Sequence, residues 1–384
     1  MRTLRTVILL LLVLPGACRG LVIDHDCTDL SQVPEWWIRQ ARAAFRMTYG
    51  HTSHGSQVVT GMDALVDTFP VYQFFDDHDY YLSGAGNPQA PDSVLSLWDY
   101  VPGGDLGNPD WVTWAGLTDT MLSNANGAYT IYPHQRNLVM WSWCGQVSWA
   151  DSAIIADYLS LMSGLELSYP NVTFVYITSH LDGSGVEGNL NIRNEQIRAY
   201  CRAHDKLLFD FADIESYDPD GLVNYMVLYG TDGCEYDSDS NGNPWGDANW
   251  AQQWVAAHPD HELSRLAAAC GDCAHSERLN CILKARAFWW MLARLAGWPG
   301  PSGVAQGPAA PGTATAGFRV WPNPVRSLGQ LRFSRPGAYR VFNALGQVVA
   351  AGNGGRLPDK AAPAGIYFVR SAAGGPCRRL VVIR

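Results

Sequence analysis

The chain has 384 residues, 47% of them hydrophobic and 16% charged, so it is a folding chain rather than a disordered tail. Its length accommodates about two domains. A formal net charge of −9, with no basic stripe, argues against nucleic acid as a partner.

Residues 1–20 read as an export signal. Arg2 and Arg5 precede an apolar run from Val7 to Leu14, which Pro15-Gly16-Ala17 closes with small residues. The run is short of the roughly 20 residues that span a bilayer, and no later stretch is longer, so no membrane span is expected. Cys18 offers a lipid acceptor. Pro15 stands where a lipid-attachment box prefers a branched aliphatic residue, so the expectation is cleavage without lipidation. Eight cysteines then remain, and an even number in an exported chain favours disulfides over free thiols. Cys270-x-x-Cys273 has the spacing of zinc ligands but lacks a partner pair. Cys270, Cys273 and Cys281 bracket His275, so a bridge among them would stiffen the loop that carries it.

Residues 21–298 alternate helical and extended patterns. Helices are expected over Glu35–Phe45, Gln57–Val66, Thr113–Asn124, Ala150–Leu167, Arg193–His204 and Leu283–Gly297. Strands are expected over Arg46–Tyr49, Leu95–Val101, Asn137–Trp143, Val172–Thr178 and Leu207–Ile214. This alternation predicts an α/β fold with a parallel sheet covered on both faces. Reactive groups in such folds gather beyond the carboxyl ends of the strands, where Ser53, Gly145, His180 and Asp213 fall. Residues 299–317 form a Pro/Gly/Ala linker. Residues 318–384 carry short alternating strands between Gly and Asn turns, which predicts a small all-β sandwich.

Two segments carry the chemistry. Gly50-His51-Thr52-Ser53-His54-Gly55-Ser56 places a serine between a strand and a helix. Such a serine ordinarily caps the helix, but Ser56 directly precedes the helical pattern and is the better cap. Ser53 is thus left as a candidate nucleophile beside a helix N-terminus. Far downstream, Asp272-x-x-His275 precedes the last helix, with carboxylate and imidazole on one turn. Their plain reading is a capping Asp and an exposed His. Hydroxyl, imidazole and carboxylate are the parts needed for serine-dependent ester hydrolysis.

The order of these blocks resembles that of the SGNH (GDSL-type) hydrolases. The resemblance covers roughly residues 40–300 and implies a three-layer α/β/α flavodoxin-like domain. It places Ser53 as nucleophile, His275 as general base and Asp272 as the acid orienting it, with His51-Thr52-Ser53 in place of Gly-Asp-Ser. It calls for a glycine oxyanion donor after the next strand, for which Gly104 and Gly107 are the candidates. The third block, Gly-x-Asn-Asp, is replaced by Ser142-Trp143-Cys144-Gly145-Gln146, where the Gln146 amide can stand in for the missing Asn.

His180 and Asp182 end a strand on the same rim and, with His51 and His54, are candidate substrate contacts. A strand-end turn is the plainer reading, and His180 is the rival to His275 as base. Asp237-x-Asp239-x-Asn241-Gly242 copies half of a calcium loop, but Ala248 stands where the closing Glu belongs, with Asp247 or Asp232 as substitutes. A polar turn is the simpler reading, so no cofactor is expected. Trp36-Trp37 and Trp289-Trp290 are expected in the core.

The tail strongly resembles the C-terminal sorting domains of type IX secretion cargo. It carries Trp321-Pro322-Asn323-Pro324, then Tyr339 to Val349, then Pro363-Ala364-Gly365-Ile366-Tyr367, and a basic and apolar end. The plain alternative is an immunoglobulin-like adhesion or spacer module. The resemblance implies a bacterial protein, secreted or at the cell surface, exported through the periplasm by that machinery. The leading expectation is a secreted serine esterase acting on an ester-bearing small molecule or glycan. The alternatives are an inactive glycan-binding protein on the same scaffold and a metal-dependent hydrolase built on His180, Asp182 and the acidic loop.

Overall fold

The computed structural model describes residues 20–76, 94–123, 136–301, 320–321, 325–334, 337–343, 348–353, 357–358, 362–363, 365–371 and 378–382. The proposed signal and nearly all of the linker lie outside these residues, as do Pro322-Asn323-Pro324. The chain divides into two compact units, residues 1–304 and 305–384.

The first unit is built on a seven-stranded parallel sheet. In chain order its strands are β1 (Val22–Ile23), β2 (Arg46–Gly50), β3 (Phe74–Phe75), β4 (Leu95–Asp99), β5 (Leu138–Trp141), β6 (Thr173–Ile177) and β7 (Leu208–Phe209). They lie side by side as β1-β7-β6-β5-β2-β4-β3. Central strands such as Leu138-Val139-Met140-Trp141 are buried along their whole length, as a sheet covered on both faces requires. The helices are α1 (Glu35–Ala44), α2 (Ser53–Thr68), α3 (Thr113–Ser123), α4 (Ser152–Ser168), α5 (Asn189–Ala203), α6 (Phe211–Glu215), α7 (Trp250–Ala257), α8 (Glu262–Ala269) and α9 (Arg278–Leu295).

The order of the strands decides where the site can form. From β2 the chain moves outward to the edge strand β3, steps back to β4, then crosses over β2 to β5 and continues to β6 and β7. Right-handed crossovers therefore put α2 on one face of the sheet and α3, α4 and α5 on the other. The loops after β2 and β5 diverge to opposite faces and leave a crevice between them. A small hairpin of β8 (Glu235–Tyr236) and β9 (Ala248–Asn249) lies in the long excursion after β7.

Helix α9 is buried from Leu279 to Ala293 and packs against α2, α1 and α8. Its contact with α2 is close because Gly61 has no side chain. A Cβ there would stand 2.0 Å from the carbonyl oxygen of Cys281 and 2.8 Å from Ala285 Cβ.

The second unit holds a four-stranded antiparallel sheet. Its strands β12 (Tyr339–Phe342), β13 (Val348–Gly352), β14 (Gly365–Ser371) and β15 (Arg378–Val382) are ordered β13-β12-β14-β15. A separate ladder joins β10 (Val320–Trp321) to β11 (Arg332–Phe333). Alternate residues Tyr339, Val341, Tyr367, Val369, Leu380 and Val382 form its core.

Several expectations need correction. The strand expected over Leu207–Ile214 ends at Phe209, because Asp210 accepts from the Asp213 N–H and starts α6. Helix α2 begins at Ser53 rather than Gln57, so Ser56 is not its cap. Instead, Ser56 Oγ donates to the Ser53 carbonyl at 2.7 Å inside the first turn. Helices α7 and α8 were not anticipated, since each is short and capped by a side chain, from Asn249 and His261. Trp289 and Trp290 are buried, but Trp36 is 55% exposed.

The close approach of α2 to α9 makes a stability prediction. Gly61→Ala should destabilise the chain by about 1–3 kcal/mol through overpacking. Gly116→Ala, at an exposed position of α3 with nothing within 4 Å, should instead stabilise it by about 0.5–1 kcal/mol. Urea unfolding of the two variants checks both signs.

Candidate active site

The loops leaving β2, β4, β5, β6 and β7 converge at the carboxyl edge of the sheet. Thr52 occupies the cap position of α2 but makes no capping bond, so the first N–H groups of the helix have no side-chain acceptor. Gly55 lets this turn settle on the end of β5, where a Cβ would lie 2.2 Å from Ser142 Oγ and 2.3 Å from His51 Cβ.

Ser53 Oγ lies 2.9 Å from His275 Nε2, across 222 residues of chain. His275 adopts a left-handed backbone, with φ of 60°, in a loop closed by a Cys273–Cys281 disulfide. Asp272 is not its partner. The Asp272 side chain is 99% exposed and accepts from Arg278 Nη2 at 2.8 Å, so the expected serine triad lacks its carboxylate.

A second relay is complete. His54 Nδ1 lies 3.0 Å from Cys144 Sγ, and His54 Nε2 lies 3.0 Å from Asp232 Oδ2. Burial opposes a charge on His54, but its bonds to Asp232 and Cys144 prevail and raise its pKa to about 9. Burial likewise opposes a thiolate at Cys144, but bonds from His54 and Ser53 prevail and lower its pKa to about 6. At neutral pH the two form a thiolate–imidazolium pair. Asp232 is held below the usual carboxylate range, its burial outweighed by the His54 bond and the charges of the neighbouring imidazoles.

The two relays meet at one hydroxyl, because Ser53 Oγ also lies 3.4 Å from Cys144 Sγ. Their imidazoles are stacked. The His54 ring lies between His180, 4.0 Å away, and His275, 4.5 Å away, nearly parallel to both. Burial and the adjacent His54 charge hold the His180 pKa down. His180 Nδ1 meets its neighbour's carbonyl at Leu181, so His180 is not set up as the base of either relay.

Beneath the relays, Asp105 joins three loops. It accepts from Thr52 Oγ1 at 2.5 Å, Gly107 N at 2.8 Å and Gln146 Nε2 at 2.9 Å. Gln146 Oε1 in turn accepts from the Cys144 N–H at 2.9 Å. Gln146 Oε1, one Gln146 Nε2–H and the Gly107 N–H are thus engaged in holding the Cys144 loop. The Gly107 N–H is therefore not an oxyanion donor, while Gln146 keeps its second Nε2–H. Gly104, with φ of +106°, belongs to the same turn, whose Asp105 N–H donates to the Asn108 carbonyl. Free N–H groups at the start of α2 are the better oxyanion donors.

A buried ion pair fixes the imidazole loops. Lys284 Nζ lies 2.8 Å from Glu215 Oε1, and both side chains are fully buried. Glu215 also accepts from Leu181 N at 2.7 Å and Asn280 Nδ2 at 3.0 Å. Lys284 donates to Gln57 Oε1, whose Nε2 donates to the Ala274 carbonyl at 2.6 Å. Asn280 reaches Ser276 Oγ at 2.8 Å.

The remaining candidates are placed elsewhere. His51 is buried, and its Nε2 lies 2.7 Å from Asp99 Oδ1. Asp182 accepts from Ser148 at 2.7 Å and laces the β5 and β6 loops together. Asp213 lies 2.5 Å from His25 Nδ1. Asp237, Asp239 and Asp247 do converge within 4.8 Å. Both Asp237 oxygens accept the N–H groups of Asn241 and Gly242, and Asp247 accepts from Ser238. His54, Asp232 and His275 also approach within 4.8 Å, each bonded within the relays just described.

Cys144 and Asp232 were missed. The even cysteine count pointed to disulfides, yet among the described residues only Cys273–Cys281 is bridged, and Cys27, Cys144, Cys201, Cys234 and Cys270 are not. The signal available was Cys144 immediately beyond a buried strand. Nothing local marks Asp232. Comparison with protein-family models, curated proteins and solved structures finds no match to this chain.

The thiolate makes a selective prediction. Iodoacetamide should alkylate Cys144 with a rate that rises through a midpoint near pH 6, because the thiol ionises there. Cys201, Cys234 and Cys270, pushed up to between about 11 and about 12 by burial, should not react in the folded protein. Asp232→Asn should move the midpoint alkaline, read by peptide mass spectrometry.

Proposed function

We propose that the chain is an exported acyl hydrolase that cleaves carboxylic esters through a cysteine acyl-enzyme. The observation that carries this reading is the complete Cys144–His54–Asp232 relay, with both links at 3.0 Å. The Cys144 thiolate attacks the ester carbonyl, and the developing oxyanion faces the N–H groups that open α2. His54 gives its Nδ1 proton to the leaving alkoxide, while Asp232 keeps the ring oriented. Attack of water on the acyl-enzyme then releases the acid, restoring thiolate and imidazolium.

The scaffold supports this reading without specifying it. The strand order around β2 and β5 is that of a flavodoxin-like fold, and the block order is similar to that of SGNH hydrolases. In the same spirit, residues 318–384 are read as an immunoglobulin-like sorting module for type IX secretion, which would deliver the enzyme to the cell surface or beyond.

A second reading is a serine esterase with Ser53 as nucleophile and His275 as base, favoured by their 2.9 Å separation. It must do without Asp272.

Hydrolysis of p-nitrophenyl acetate at pH 7 separates the readings. Cys144→Ala should lower kcat/KM by at least about 1,000-fold. Full activity in that variant, lost on Ser53→Ala, would establish the serine reading instead. Wild-type turnover no faster than a Cys144→Ala/Ser53→Ala double variant would leave a binding protein.

A further inference from the structure

Resting on the cysteine acyl-enzyme reading, we propose that Ser53 is the acceptor of the acyl group from Cys144, so that the acyl passes from sulfur to oxygen before hydrolysis. The geometry arises from the shared hydroxyl. Ser53 Oγ is 3.4 Å from Cys144 Sγ, so an acyl carbon bonded to that sulfur can turn to within reach of the hydroxyl, and it is 2.9 Å from the base on its other side, His275 Nε2.

The two imidazoles are not equivalent. His54 is 5% exposed, with both ring nitrogens engaged and both faces covered by other rings. His275 is solvent-exposed on the loop held by the disulfide. The first relay suits formation of an acyl-enzyme in a sheltered place, and the second suits delivery of water.

The transfer step balances. Ser53 Oγ attacks the thioester carbonyl of acyl-Cys144 and gives its proton to His275 Nε2. The C–S bond breaks and the electron pair returns to sulfur as the Cys144 thiolate, paired with His54 once that ring regains a proton from water. The product is an oxygen ester on Ser53 and a protonated His275. After His275 loses that proton to solvent, it deprotonates the water that attacks the Ser53 ester. The acid leaves, and His275 returns the proton to Ser53 Oγ.

The experiment is rapid-quench mass spectrometry of the full chain with p-nitrophenyl acetate, alongside the p-nitrophenolate burst. Ser53→Ala and His275→Gln should keep the burst, lose at least about ten-fold in steady-state rate, and accumulate an acetyl group on Cys144. That group should be removed by neutral hydroxylamine, as a thioester is. Wild type should carry its acetyl on Ser53, resistant to neutral hydroxylamine, and Cys144→Ala should show neither burst nor adduct. A Ser53→Ala variant that turns over at the wild-type rate would overturn the transfer while leaving the cysteine acyl-enzyme intact. A Cys144→Ala variant that still acetylates Ser53 at the wild-type rate would overturn both.

Discussion

Lys284 and Glu215 form an ion pair from which water is excluded, and the geometry of the site depends on it. Burying two charges has a large desolvation cost, and a pair of this kind is a weak source of net stability. Its structural effect is specific. Glu215 holds the N–H of Leu181, next to His180, and Asn280, which reaches Ser276, next to His275. Lys284 holds Gln57, one turn beyond His54 on α2, and through it Ala274 on the other side of His275. All three stacked imidazoles are thus indexed to one buried pair, which has few alternative arrangements because any other would leave a charge unpaired. Glu215 also adds to the field that favours protonation of His54.

On that frame, two proton relays run side by side and share a single hydroxyl. Ser53 has one proton and two acceptors, Cys144 and His275, so the state of each relay is coupled to the other. The ring stack places a cationic His54 against two further imidazoles, and burial together with that charge suppresses protonation of His180. Asp105 performs the equivalent service below, drawing the loops after β2, β4 and β5 onto one carboxylate. The chemistry therefore lies at a switch point of the sheet, where loops diverge, yet is held by two groups the solvent hardly reaches.

Much of the architecture was legible because it is periodic. Buried runs such as Leu138–Trp141 and amphipathic stretches such as Glu35–Ala44 announce themselves over short windows. The pairing of Ser53 with His275 was also anticipated, since each lies in a polar turn against a helix. Other assignments were not open to such reasoning. Asp272 is three residues from His275 but points to Arg278, and nothing in the spacing distinguishes those outcomes. Gln146 has the amide expected of an oxyanion donor, yet it also braces the Cys144 loop through Cys144 N–H and Asp105, a role its spacing does not reveal.

Composition and local pattern thus determined the α/β class, the β-rich tail and a serine beside a helix N-terminus, because these follow from contacts within a few residues. Tertiary structure alone decided that Cys144 is a thiolate rather than half of a disulfide. That state requires His54 and Asp232, 90 and 178 residues apart along the chain from their respective partners, to meet in one crevice. A pKa is set by the groups that surround an atom and by the water they exclude, and for Cys144 those groups stand at the start of a helix some 90 residues earlier in the chain.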